Sequence, residues 1–587
     1  MSEASNIDEI PTLEEIDKLD LSFKKLFDTS LKVEEINDIR VVASIDFGTT
    51  YSGYAYAHLK TQPLNIITHT EWQEYDGMPK VPTVLKYNES FEVVDWGYPA
   101  LINLDRKNLN QKSNMKPVEL FKLYLSNNDE MENMPYLPSG IDYKQAIVDF
   151  LRNMGDSLKE ELKQWDNIDY FKNVRLVLTV PVEFDNDAIS TMRDCAYKAG
   201  LTKQKHNSYG SNLLFVHEPE AAAVHCLKTS GECDLSVGDT FMVVDSGGGT
   251  VDITTMKWLK SGKLSEIIES KGDYCGGNYV DQEFLKFLAK KVGDSTIKNL
   301  KEHHYGQIQY VIHVFNKRIK YRFTGKHQDF TDFELDLDDT CPIIKKYVKD
   351  TIRDELESSM WVITIKYDDV KKMFDPIIDK IITLIHGRLE ALDSNCSAML
   401  LVGGFSESKY LRSRIRNEFK KIVPNISSPS LPMLAIVKGA VQFGASQKII
   451  VDRILKWTYG TDVIRKWKPS DPLDRKIDDD HIIVFSRLAK KGEKVAVGEK
   501  VVRIFSTTHV VQHFMGLDLY VTHDEDAEYC DSPGVELLDT FTIKVPITGE
   551  KKREIIYIMN FGMVEIQVTA INPNNRVKYE RVFNLDI

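Results

Sequence analysis

Apolar residues fall along this chain in two rhythms. From Val41, short apolar runs such as "VVASI" (Val41–Ile45), "VRLVLTV" (Val174–Val180), "TFMVVDS" (Thr240–Ser246) and "AMLLVGG" (Ala398–Gly404) predict buried strands. Between them, apolar positions recur every three or four residues and predict helices over Tyr143–Trp165 and Val280–Val292. Alternation of this kind predicts a layered α/β architecture. Beyond about Ser446 the texture changes. Runs such as "EKVVRIFSTT", "LDLYVTH", "DTFTIKVP", "REIIYIMNF" and "MVEIQVTAI" predict a smaller, mostly β region over 447–587, with no long helix. Ahead of Val41, residues 1–40 carry 11 acidic against 5 basic side chains. They read as a solvated acidic extension, with an amphipathic helix near "EEIDKLDLSFKKLF" as the alternative.

Composition narrows the class. A chain of 587 residues is enough for roughly four domain-sized units, so the core needs no disulfide or metal staple. The net charge of -13 disfavours nucleic acid and anionic membrane as partners, and the basic runs are as short as "NKRIKYR". Seven scattered cysteines without a CxxC argue against a disulfide framework or structural zinc and for a reducing compartment. No signal-peptide pattern and no apolar run of about 20 residues is present. A cytoplasmic protein is the expectation.

One pattern occurs twice. "ASIDFGTTYSGYA" and "MVVDSGGGTVDIT" share a plan: apolar strand, Asp, one residue, a glycine-bearing turn, Thr, second strand. Each places a carboxylate, Asp46 or Asp245, at a strand end beside a tight hairpin. Glycine permits close backbone approach, and successive N–H groups in such a turn make a nest for phosphate oxygens. Either hairpin alone reads as an ordinary turn. Two with Asp at the same offset point to a pair of phosphate-binding jaws. Two carboxylates facing a polyphosphate imply a cation, since like charges about 4 Å apart repel by about 4 kcal/mol at an effective dielectric near 20. Magnesium suits the place because it keeps its waters and needs few protein ligands.

Two further elements belong with these. "LLVGGFSES" ends a strand at Gly403–Gly404, where bare backbone suits a flat adenosine; Ser406 or Ser408 is placed to cap the next helix. "VHEPEAAAVHC" sets Glu218 ahead of Pro219 at a helix start. Glu218 is either an acid favoured by the helix dipole or a group facing the metal and an attacking water.

Together with "TVPVEFDNDAISTMRDCAYKAGL" and "GDYCGGNYVDQEF", these motifs resemble, in order, the nucleotide-binding domain of the 70-kDa heat-shock protein family, a branch of the actin-like ATPases. The β region is similar to that of the divergent member-12 branch. The resemblance implies an actin-like (ribonuclease H-like) two-lobed ATPase domain over 41–446, followed by a small mostly-β domain without a helical lid. Lobe I would span about 41–235 and 432–446, lobe II about 236–431. The implied cofactors are ATP or ADP and magnesium; the implied partners are the nucleotide and protein clients or co-chaperones. Gly48, Thr49, Thr50 and Tyr51 match the first phosphate loop, and Gly247, Gly248, Gly249 and Thr250 the second. Asp46 and Asp245 match the acids that hold magnesium through water. Glu218, Thr250 and Asp252 match catalytic positions, and Lys122 is the candidate for the catalytic lysine. Gly276, Gly277, Gly403, Gly404 and Phe405 fall in nucleotide-contacting motifs. Asn316 and Lys320 fall near the adenine clamp.

The sequence departs from that pattern around the base. Asn316 stands where the family has an acid, "FSES" lacks the family's adenine-stacking arginine, and Met433 replaces an aspartate. The expectation is a chaperone-type ATPase with slow turnover. The alternatives are a nucleotide-gated binding protein that hydrolyses nothing and a sugar kinase of the same fold.

Overall fold

The computed structural model describes residues 5–6, 38–102, 116–125, 134–203, 211–228, 235–446, 449–545 and 553–582, apart from 74, 478–479, 508–511, 562–563 and 574–576. The helix considered near "EEIDKLDLSFKKLF" lies outside the described residues.

Two α/β sheets repeat one plan. In the first, Val41–Asp46 forms an antiparallel hairpin with Tyr51–His58 and pairs in parallel with Val174–Val180, which pairs in parallel with Leu213–His217. In the second, Thr240–Ser246 forms the hairpin with Val251–Leu259 and pairs in parallel with Ala398–Val402, which pairs in parallel with Asn425–Ser427. The central strands are buried on both faces, as sheets covered by helices require. Strands Val174–Val180 and Thr240–Ser246 begin and end where the apolar runs do. The helix expected over Tyr143–Trp165 runs Tyr143–Leu162, started by Asp142, whose side chain accepts from the Gln145 N–H.

Between the sheets cross two helices, Glu218–Lys228 and Ala435–Ala445. Ala221, Ala222, Ala223, Ala435, Val437 and Ala440 share a core there with Val42 and Val177 of one sheet and Phe241, Val243 and Leu400 of the other. Small side chains bring the backbones close: a Cβ on Gly439 would lie 1.7 Å from the Ala221 carbonyl oxygen. The alanine run of "EPEAAA" is therefore a packing requirement.

The expected boundary at residue 446 is crossed by the second sheet. Ile450–Ile454 pairs in parallel with Lys263–Asp273, and Lys494–Ala496 pairs with Ile450–Ile454. Ladder hydrogen bonds use backbone groups, so the composition shift at 446 does not mark where the sheet ends. The remaining strands build a separate nine-stranded sheet that includes Thr458–Lys466, His481–Ala489, Phe514–Thr522, Val535–Lys544 and Glu554–Asn560. Its core holds Phe505, Leu519, Phe541 and Tyr557. Ser5–Asn6, from the stretch read as a solvated tail, pairs in parallel with Val463 and Ile464 of this sheet. Among the described residues no helix is long and apolar enough to cross a membrane.

Candidate functional site

The two hairpins meet tip to tip. In the first, the Gly48 N–H donates to Ser52 Oγ at 3.1 Å, while the Thr83 hydroxyl donates to the Gly48 carbonyl at 2.8 Å. In the second, the carbonyls of Gly247, Gly248 and Gly249 accept from the N–H groups of Gly277 (3.0 Å), Asn278 (2.8 Å) and Gly276 (3.1 Å). Gly276 is glycine because a Cβ there would sit 2.5 Å from the Gly248 carbonyl oxygen. A Cβ on Gly248 would lie 2.2 Å from Thr50 Oγ1, and one on Gly249 2.7 Å from Thr49 Oγ1. The glycines thus let the hairpins touch each other as well as freeing backbone N–H groups for a ligand.

Four carboxylates gather behind these tips. Asp46, only 2% exposed, is ion-paired with Lys80 at 2.6 Å and accepts weakly from Thr179 Oγ1 at 3.3 Å. Glu218 opens its helix and is ion-paired with Lys122 at 2.8 Å. The Lys122 ammonium is buried near the rings of Phe47 and Phe184, 5.7 and 5.5 Å from their centroids. This lysine is therefore a buried site residue rather than a surface one. Asp245 Oδ1 is buried without a hydrogen-bond partner. Asp252, across the hairpin from Asp245, accepts from the Val182 N–H at 2.9 Å through Oδ1 and leaves Oδ2 unpartnered.

Burial raises three of these acids. It pushes Asp245 well above the usual carboxylate range, with Glu218, Asp252 and Asp46 adding repulsion. It lifts Asp252 to about 7, again with Glu218 adding. Glu218 is raised by burial, opposed by Lys122 and reinforced by Asp46. Burial thus favours the protonated forms of Asp245 and Asp252, while Asp46 and Glu218 are each paired with a lysine.

All of this opens onto one cleft of about 2760 Å³. That exceeds the roughly 300–1,000 Å³ of fitted small-molecule pockets and describes an extended groove. Its lining includes every residue expected at the site except Asp252 and Gly276, which lie behind the wall. Elsewhere in its lining, the Tyr305 hydroxyl donates to Glu119 Oε2, and the Lys116 ammonium lies 4.5 Å from the ring centroids of Tyr136 and Tyr305. Withdrawal from water raises Glu119 to about 7, with the Tyr305 hydrogen bond and Lys116 pulling the other way.

Where the resemblance expects the base, Asn316 and Lys320 occupy the short turn Asn316–Lys320 that continues helix Tyr305–Phe315. Lys320 is ion-paired with Asp281 at 2.7 Å, and Asn316 Nδ2 lies 3.5 Å from the same carboxylate. Asp281 comes from helix Gly277–Val292 and restores the acid that Asn316 lacks. No spacing motif links these positions, so sequence reading missed Asp281 and, for the same reason, Lys80. Phe405 packs under Gly277, where a Cβ would lie 3.2 Å from its ring. Ser408, not Ser406, caps the following helix, accepting from the Leu411 N–H at 3.3 Å. Glu407 and Met433 both line the cleft.

No family model matches the chain. Over nearly its whole length it is similar to human heat shock 70 kDa protein 12A, with 26% identity across 93% of this chain and 91% of that protein. Human heat shock 70 kDa protein 12B is also 26% identical, across 91% and 89%. A chaperone protein HscA homolog from Acinetobacter baylyi is 24% identical across 55% of this chain and 51% of its own. Over nearly its whole length the chain is thus similar to member-12 proteins of the 70-kDa heat-shock family. This is a family of chaperone-like, nucleotide-binding ATPases. Among the positions expected from the resemblance, the two glycine hairpins keep the expected residue types, while Asn316, Glu407 and Met433 depart from them.

Proposed function

We propose that this protein is a heat-shock-70-type nucleotide switch that binds Mg-ATP between two α/β lobes, hydrolyses it slowly and couples its nucleotide state to the C-terminal β region. The observation that carries the reading is the convergence of two glycine hairpins and the three buried carboxylates of Asp46, Glu218 and Asp245 on one cleft, with Asp245 Oδ1 unpartnered. An orphaned buried carboxylate oxygen whose ionisation is opposed by burial and by neighbouring acids fits a cation, which would offset that cost. Among the described residues no three His, Cys, Asp or Glu side chains form a metal cage, so Asp46 and Asp245 would hold magnesium through its waters. When bound, magnesium neutralises phosphate charge.

The chain's own groups do the rest. N–H groups and hydroxyls at the hairpin tips orient the phosphates. Glu218, fixed by Lys122, orients an attacking water, and Thr250 adds a hydroxyl donor beside it. Catalysis would rest on positioning and charge neutralisation.

The path to the β region is short. The Val182 N–H donates to Asp252, while the Val182 carbonyl accepts from Lys456 Nζ. Glu220, two residues past Glu218, forms a bidentate pair with Arg453 at 2.6 and 2.8 Å. Further out, Arg193 pairs with Glu565. These contacts support coupling of the cleft to the chain beyond 446, a hinge-type switch.

ATP turnover measured on Asp46→Asn and Thr250→Ala tests the reading. Each change should slow phosphate release by at least about tenfold; unchanged turnover in both would refute the site assignment. The substituted base end, with Glu407 in place of a stacking arginine, favours a second reading, a nucleotide-gated binding protein without turnover. Calorimetric ATP binding with no phosphate release would decide for it.

A further inference from the structure

Lys80 lines the cleft beside Asp46 and lies outside the motifs that carry the family resemblance. Its place is built. Val81 and Pro82, which follow it, pair with Ser52 and Tyr51 of the first hairpin, and the Tyr98 hydroxyl donates to the Lys80 carbonyl at 3.1 Å. Its stem lies against Gly53, where an added Cβ would come within 3.1 Å of Lys80 Cγ. The side chain is 11% exposed, lines the cleft and ends 2.6 Å from Asp46 Oδ2. From there its charge also acts on Glu218, Asp245 and Glu407. Lys122, the other lysine, is committed to Glu218.

A buried ion pair is a poor stabiliser, because desolvation offsets most of the attraction. Stability alone therefore does not explain a lysine held at the tip of a phosphate hairpin. A lysine carries three rotatable donors on a flexible stem, which suits contact with a phosphate as a point charge.

We propose that Lys80 is a phosphate-contacting residue of this cleft: it neutralises Asp46 in the nucleotide-free protein and turns to the terminal phosphate of a bound nucleoside di- or triphosphate. It thereby makes nucleotide binding less dependent on a divalent ion than two facing carboxylates would demand. The inference rests on the nucleotide reading above.

Calorimetric titration of the full chain with ADP, in excess magnesium and in EDTA, tests it. Wild type should lose less than about tenfold in affinity on metal removal, and Lys80→Met about 30-fold or more. Lys80→Arg, which keeps the charge, should behave as wild type. Thermal melts without nucleotide check folding, and Lys80→Gln serves in place of Lys80→Met if the latter does not fold. Equal metal dependence in wild type and the neutral variant overturns the role of Lys80 and leaves the nucleotide reading standing. Wild type that binds no ADP in either buffer overturns both.

Discussion

Asp46 and Asp245 stand at the same place in two hairpins of the same plan, and their surroundings differ. Asp46 is held by Lys80 and touched by Thr179. Asp245 has an unpartnered oxygen, with Glu218, Asp252 and Asp46 adding repulsion to the cost of its burial. A repeated local design therefore does not give repeated electrostatics. The difference arises from what the rest of the chain brings up behind each strand: a lysine loop for the first hairpin, the bare backbone of Gly403 for the second.

The comparison can be broken from the second side most severely. Gly403 has φ of +83°, and a Cβ there would lie 2.3 Å from Asp245 Oδ1 and 2.5 Å from the Ser246 carbonyl oxygen. Gly403→Ala should cost about 3–4 kcal/mol, the sum of left-handed strain and overpacking, read as a fall in the calorimetric transition. Next in size is a pair of opposite signs. Asp46→Asn leaves Lys80 without its partner and should destabilise the nucleotide-free protein by about 2–3 kcal/mol. Asp245→Asn removes one of several mutually repelling acids and should stabilise it by about 1 kcal/mol while weakening function. Shifts of the same sign in both variants would mean that the two carboxylates are electrostatically alike.

The smallest effect lies elsewhere in the cleft lining. Glu119 is raised to about 7 in the folded protein, above an unfolded value near 4.3. The folded state therefore favours the protonated acid. The stability this contributes is complete below the unfolded value and is lost as pH rises through about 7. Relative to Glu119→Gln, wild type should lose stability between about pH 5 and about pH 8, by less than about 1 kcal/mol given partial exposure. Thermal melts at the two pH values check this, and a pH-independent difference would contradict it.

How much of this was legible in the sequence depended on whether the cause was local. The hairpins were legible because strand, Asp, glycine turn and Thr are contiguous and occur twice. Strands Val174–Val180 and Thr240–Ser246 were legible because burial on both faces makes the run mostly apolar rather than alternating. Glu218 at a helix start was readable from the proline that follows it. Lys122 was a bare candidate until the fold set it against Glu218. Lys80 and Asp281 gave no signal, since their partners Asp46 and Lys320 are brought to them only by tertiary structure. The pairing of Ser5–Asn6 with the β region was hidden for another reason: a two-residue ladder rests on backbone groups, which carry no pattern.

The crossing of helices Glu218–Lys228 and Ala435–Ala445 has a mechanical consequence. With Gly439 against the Ala221 carbonyl and alanines on either side, the closest contact there is made by backbone and small side chains. Such a joint resists compression strongly and rotation weakly, as a fulcrum does. If the lobes move on nucleotide binding, the displacement is least at this bearing and grows with the lever arm toward the opposite rim. The hydrogen bond between Glu119 and Tyr305 joins residues 186 apart in sequence that both line the cleft, so a distance probe placed on these two residues would test whether the cleft opens.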